Sequence, residues 1–139
     1  MTRTARGLRN NNPLNIRKGN NWKGERKVQH DPAFEEFESM QMGLRAGFII
    51  LRNYITGYGG KSAKFNTIEK IISRWAPPSE NATRKYIDFV ATCVDKHPKE
   101  VIDFTDAFTM CQLVRAMCFV ECGQWIDFGT IESSYNLLL

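Results

Sequence analysis

Ala116-Met117-Cys118-Phe119-Val120-Glu121-Cys122-Gly123-Gln124-Trp125 reads as the end of a helix that carries one carboxylate in line with an apolar stripe. Counting back from Glu121, Cys118, Met117, Val114 and Met110 fall three, four, seven and eleven residues away, the offsets that share one helix face. Gly123 suits the end of that helix, because glycine adopts a left-handed C-cap without a steric penalty. Glu121 then sits in the last turn, where the helix macrodipole disfavours negative charge. Apolar neighbours and dipole both favour the protonated carboxyl, and a glutamate whose pKa is lifted to roughly 6 in this way can serve as a general acid. The other reading of this stretch is a half-exposed glutamate at a helix end.

Working outward, the helix reaches back to about Thr105, and helical segments precede it. Ser39 caps one running to about Thr56, with Leu44, Phe48, Leu51 and Ile55 at helical spacing and Gly43, Ala46 and Gly47 permitting close packing, the pattern of a buried central helix. Gly57-Tyr58-Gly59-Gly60 ends it. Asn66 with Glu69 forms a capping box for a short helix, Thr67 to Trp75, which Pro77-Pro78 stops. Ser79 or Asn81 starts a helix through about Lys96 that turns Tyr86, Phe89, Val90 and Cys93 inward, with Pro98 just beyond. After Trp125, Ile126 to Leu139 adds a last helical turn or two, because Tyr135, Leu137, Leu138 and Leu139 favour burial.

The N-terminal third is different. Residues 7–21 are crowded with asparagine, glycine and proline, which form turns and bond their own backbone, so they read as ordered loop rather than helix. Trp22 to Phe37 holds Val28, Phe34 and Phe37 around a His30-Asp31-Pro32 turn, a short irregular hairpin rich in carboxylates: Glu25, Asp31, Glu35, Glu36 and Glu38. The fold class is therefore mainly α (α+β), a helical domain with one small β-hairpin region. At 139 residues, 42% of them hydrophobic and 24% charged, the chain makes a single domain, 1–139.

No apolar run approaches the roughly 20 residues of a membrane span. The basic N-terminus lacks the apolar segment of a signal peptide, so the protein is expected to be cytoplasmic at synthesis and to reach a cell wall or periplasm by another route, or on a virion. The net charge of +4 suits acidic partners, nucleic acid or an anionic wall, with much of the excess in Arg3, Arg6, Arg9, Arg17, Lys18, Lys23, Arg26 and Lys27. Nucleic-acid binding through that segment ranks low and requires steep salt dependence. Cys93, Cys111, Cys118 and Cys122 read as small buried hydrophobes rather than disulfides or metal ligands. No Gly-rich phosphate loop and no paired Cys/His spacing is present, so neither metal nor cofactor is expected.

Asn11, Asn12 and Asn15 supply amide donors and acceptors that suit sugar hydroxyls and acetamido groups, or else simply make a turn. Trp22, Trp75 and Trp125 are rigid faces for a sugar ring, though one or two belong in the core. Glu38, Glu80 and Gln124 complete the candidate binding set; Glu80 is as readily a first-turn charge complementing a helix N-terminus.

Arg9-Asn10-Asn11-Asn12-Pro13-Leu14-Asn15-Ile16-Arg17, Gly43-Leu44-Arg45-Ala46, Arg74-Trp75-Ala76-Pro77-Pro78-Ser79-Glu80-Asn81 with Tyr86 following, and Glu121-Cys122-Gly123 together resemble a family of small phage and prophage proteins grouped with lysozyme-like proteins. The loop Asn11 to Gly19, followed by Phe37-Glu38-Ser39 and later Tyr86, is similar to a segment of cell-wall N-acetylglucosaminidases of the lysozyme superfamily. In those enzymes the catalytic Glu precedes the asparagine loop. Here Glu121 comes at the end, the order a circular permutation gives, and Cys122 replaces the usual polar residue after it.

The resemblance implies a lysozyme-like fold and cleavage of the glycan strand of bacterial peptidoglycan, with Glu121 as general acid and Tyr86 orienting substrate or stabilising charge. A second carboxylate from Glu25, Glu36 or Glu38 would complete a hydrolysis, at about 5 Å from the acid for retention or about 6.5–9.5 Å for inversion; alternatively the substrate's own group finishes the reaction, as in lytic transglycosylases. Other phage or secretion-system components are further expected partners. The rival readings are a non-catalytic phage structural or wall-binding protein of the same fold, and a Cys–His hydrolase using His30 or His97.

Overall fold

The structure, a computed structural model, describes residues 5–57, 64–76 and 80–139, with the side chains of Glu80 and Asn81 outside that description. Among the described residues the chain is mainly helical: α1 (Arg6–Arg9), α2 (Met40–Thr56), α3 (Ile68–Trp75), α4 (Glu80–Val94), α5 (Ala107–Cys122) and α6 (Phe128–Asn136). No helix among them is long and apolar enough to cross a membrane.

Helix α5 is enclosed most completely. Met110, Cys111, Leu113, Val114, Ala116, Met117 and Cys118 are all buried, a covered face wider than one stripe, while Gln112, Arg115 and Phe119 lie along a half-buried side. It packs against α4, α6 and α1, while α2 lies on α6 and α3. The helix expected to be central, α2, buries Leu44, Phe48, Leu51 and Ile55 along one face as its periodicity requires. Phe48 meets Tyr135 of α6 edge to face at 5.4 Å, and the Tyr135 hydroxyl donates to the Phe104 carbonyl at 2.8 Å.

The helix ends follow short-range chemistry. The Ser39 hydroxyl accepts from the Met42 N–H at 3.3 Å, as expected of a cap. At α3 the cap is Thr67, one residue later than the expected Asn66, because its hydroxyl accepts from the Lys70 N–H at 3.2 Å. Asp106 and Asp127 cap α5 and α6 through the N–H groups of Thr109 and Thr130. Gly57 and Gly123 close α2 and α5 in the left-handed conformation. Helix α6 is longer than the turn or two expected of the tail, and only part of its apolar end is buried: Tyr135 is, whereas Leu137 and Leu139 are exposed. Ser79 and Pro77-Pro78 lie outside the described residues, as does most of the Gly57-Tyr58-Gly59-Gly60 breaker.

The N-terminal third departs most from expectation. Arg6–Arg9 forms a helical turn where loop was expected. The hairpin is reduced to the isolated bridges Arg17↔Phe34 and Glu25↔Phe37, with no named strand. Side chains replace the ladder. The Asn12 amide donates to the Ile16 and Glu35 carbonyls and its oxygen accepts from the Ile16 N–H, while Asn11 donates to the Phe37 carbonyl. Asp31 accepts from Arg6, Asn10 and the N–H groups of Ala33 and Phe34. Glu36 accepts from the N–H groups of His30 and Asp31 and pairs with Arg26. A segment this rich in side-chain partners satisfies its backbone without a sheet.

Candidate active site

Three separate segments converge on Glu121. The end of α5 presents it with Met110, Val114, Met117 and Cys118 fully buried on the same helix, and Gly123, at φ 74°, turns the chain away immediately after. Helix α4, packed on α5, brings the buried Tyr86, whose hydroxyl donates to Glu121 Oε2 at 3.0 Å. The asparagine loop brings Asn15, whose Nδ2 donates to the Glu121 backbone carbonyl at 3.1 Å and approaches Oε1 at 3.4 Å. The first of these satisfies one of the carbonyls that a helix C-terminus leaves without an intrahelical partner.

Local sequence explains why the loop reaches so far in. Asn11 and Asn15 both adopt positive φ (51° and 54°), a conformation that asparagine tolerates better than most residues. The loop then lies directly on the small face of α2. A Cβ on Gly43 would stand 1.8 Å from the Asn11 carbonyl oxygen, and one on Gly47 would stand 2.3 Å from Leu14 Cδ1. On the other side, a Cβ on Gly7 of α1 would lie 2.9 Å from Asn15 Oδ1. The loop thus lies on α2 through Asn11 and Leu14 and against α1 through Asn15, whose amide bonds α5.

Burial lifts the Glu121 pKa above its ordinary value, and the hydrogen bonds from Tyr86 and Asn15 lower it; burial wins. Tyr86 is shifted strongly upward, first by burial and then by the adjacent Glu121, so its hydroxyl stays a proton donor to the carboxyl. The result is a part-buried carboxyl biased toward its protonated form, with fixed donors on it.

Next to Asn15 a depression of about 240 Å³ opens between Ile50, Tyr54 and Trp75, with Arg17 and Asn20 at its rim. A second, of about 270 Å³, shares Asn20, Ile50 and Tyr54 and extends to Trp22, Phe65 and Arg74. Tyr54 stands edge to face with Trp75 and Phe65 at 6.2 and 5.7 Å. The two form one aromatic-walled groove that begins at Asn15. A larger depression, of about 510 Å³ between Asp88 and Glu100, lies at the C-terminal end of α4 and includes neither Glu121 nor Tyr86.

The expected site residues therefore separate. Glu121, Tyr86 and Asn15 meet, and Trp22 and Trp75 line the adjoining groove. Asn12 is fully buried and Asn11 half-buried, with amides spent on loop carbonyls, so both build the loop rather than face a ligand. Trp125 is 45% exposed and stacks on Phe119 at 4.4 Å under the Arg115 guanidinium, outside the groove. Glu38 and Gln124 are exposed; the Glu80 side chain lies outside the described residues.

Of the hairpin carboxylates, Glu36 is held below its usual range by the N–H groups it accepts from. Glu25 accepts from the Trp22 N–H and shares a hydrogen bond with Glu35, whose carboxyl burial and the neighbouring Glu25 push up to about 7. The four cysteines are free, and burial raises their thiols, which disfavours a nucleophilic thiolate. Tyr54 and Asn20 escaped the reading of sequence, and Arg17 and Arg74 were read only as charge or motif and not as site residues. Ile50 and Tyr54 do share a helix face at a four-residue offset, but a tyrosine there reads as core until Asn15 and Trp75 are seen beside it.

No family model matches the chain. Over 95 residues, 66% of its length, it is 52% identical to a protein designated P5 of Pseudoalteromonas phage PM2. Those residues make up 56% of the phage protein, so the chain spans little more than half the length of this relative. The likeness is to a phage protein, and the relative's name carries no activity.

Proposed function

We propose that this is a lysozyme-like domain that cleaves the glycan strand of bacterial peptidoglycan, with Glu121 as the general acid. The observation that carries the reading is the junction of Glu121, Tyr86 and Asn15 at the end of an apolar helix, opening beside an aromatic groove. A carboxyl whose pKa is raised by burial is better suited to deliver its proton to a glycosidic oxygen, and flat aromatic walls suit sugar faces. Tyr86 holds the carboxyl in one orientation and can stabilise the carboxylate once the proton has left. The likeness to a phage protein supports the setting, since phage must breach a wall.

The positive character that develops on the sugar needs an answer from its other face. Glu36 is committed to its loop, Glu25 is tied to Glu35, and the exposed Glu38 does not line the groove. A strand whose own hydroxyl attacks, releasing an anhydro sugar, needs no second carboxylate.

Turnover of purified sacculi tests the roles. Glu121→Gln is expected to lower the rate by roughly 10²- to 10⁴-fold, the worth of a positioned proton donor. Tyr86→Phe removes a bond that favours the ionised carboxyl, so the alkaline limb of the pH–rate profile should move to higher pH while the maximum falls. An unchanged profile in Tyr86→Phe would detach Tyr86 from the acid.

A further inference from the structure

The groove that begins at Asn15 carries an electrical asymmetry that neutral-sugar binding does not require. Arg17 stands at its near end and Arg74 at its far end, and no carboxylate lines it among the described residues. Neither guanidinium is in an ion pair among those residues, although Arg6, Arg26, Arg84 and Lys96 all are. Each lies over an aromatic ring instead, Arg17 at 4.9 Å from the Phe34 centroid and Arg74 at 5.8 Å from that of Phe65. Arg74 also hydrogen-bonds the Tyr54 side chain of the groove wall; a guanidinium has five N–H donors, so the ring contact and this bond leave others with which to meet a carboxylate. Glu69, which lines a neighbouring depression with Arg74, is paired with Arg84.

We infer that the groove takes an aminosugar strand bearing carboxylates, with Arg74 and Arg17 as the residues that select it over a neutral strand. The inference rests on the glycan reading of the same site and narrows its substrate. In peptidoglycan the carboxylate has two sources, the lactyl ether of the sugar when no peptide is attached and the peptide stem when one is. An uncharged N-acetylglucosamine oligomer has neither. Aromatic walls bind all three ligands, whereas the two guanidiniums distinguish them.

Binding is measured by calorimetry on the Glu121→Gln protein, which keeps ligands intact, against chitotetraose, a peptide-stripped muramyl tetrasaccharide and its stem-bearing counterpart. One or both carboxylate ligands should bind more tightly than chitotetraose by roughly three- to tenfold, the worth of a part-exposed charge-assisted contact. Adding Arg74→Gln should lower affinity for the carboxylate ligands by a larger factor than it lowers affinity for chitotetraose, so that the preference is lost; Arg17→Gln serves as the second variant should the first lose its fold. The muramyl ligand that gains affinity identifies which carboxylate is read. Equal affinities for all three ligands, or an equal loss on chitotetraose in both arginine variants, overturns the inference. A carboxylate preference without cleavage of sacculi by the wild type would leave this inference standing and remove the acid; cleavage without preference would do the reverse.

Discussion

Glu121 is placed where a carboxylate is costly. Its folded-state pKa is raised, so its contribution to stability is fully present below the unfolded value of about 4.3 and is lost as pH rises through the folded value. Above that point the buried charge is a net burden. Glu121→Gln keeps the shape without the charge and should melt higher than the wild type at pH 7, by roughly 0.5–2 kcal/mol of stability, with the difference vanishing near pH 4. A lower melting temperature for the variant at pH 7 would mean that the ionised carboxylate is stabilising. Glu35 obeys the same sign, from burial and from Glu25, with its loss of stability falling between the ordinary carboxylate range and about 7. Thermal melts of Glu35→Gln from pH 5 to 8 should therefore show a flatter pH dependence than the wild type. At this scale the sequence was legible at Glu121, where the three-four-seven spacing and Gly123 were enough. It was not at Asn11 and Asn12, because the composition of an asparagine loop does not say whether an amide turns inward to a carbonyl or outward to a ligand.

Among the elements, the asparagine loop is the one whose placement builds the site, and α2 is what places it. Gly43 and Gly47 remove exactly the atoms that would collide with Asn11 and Leu14. Gly43→Ala should cost roughly 1–3 kcal/mol or more as overpacking, because the obstacle is a backbone carbonyl in a loop tied at Asn12 and cannot yield cheaply. Its activity should fall further than stability explains, since displacing the loop withdraws Asn15 from Glu121; a melt and a sacculus assay on the same preparation check both. The small residues of α2 were visible as a close-packing signal, but what approaches them was not. Helices α2 to α5 were readable from period and caps to within about two residues, whereas the hairpin was expected from Val28, Phe34 and Phe37 around the His30-Asp31-Pro32 turn and the structure uses Asn12, Asp31 and Glu36 side chains in place of a ladder. Short polar side chains that bond a nearby backbone compete with strand pairing in ways that a few apolar residues around a turn do not register.

The whole molecule joins its last helices to its first loop. Glu121 and Asn15 are 106 residues apart in sequence, and the bond between them closes the site. Under the proposed lysozyme-like reading, this contact would bring the acid to the loop that follows it in cell-wall N-acetylglucosaminidases. Sequence suggested the pairing only through that resemblance; no local pattern links two such distant residues. The groove was less legible still, since Tyr54, Arg17 and Arg74 come from three segments and acquire a common purpose only when α2, α3 and the loop are assembled. The central claim is that this assembly delivers a proton from Glu121 to a glycan, and the measurement that meets it most directly is mass spectrometry of soluble fragments released from purified sacculi by the wild type and by folded Glu121→Gln. The account predicts reducing-end or anhydro-ended muropeptides from the wild type and none above background from the variant, the end group distinguishing hydrolysis from transglycosylation. Equal fragments from both proteins, or none from the wild type, would contradict it.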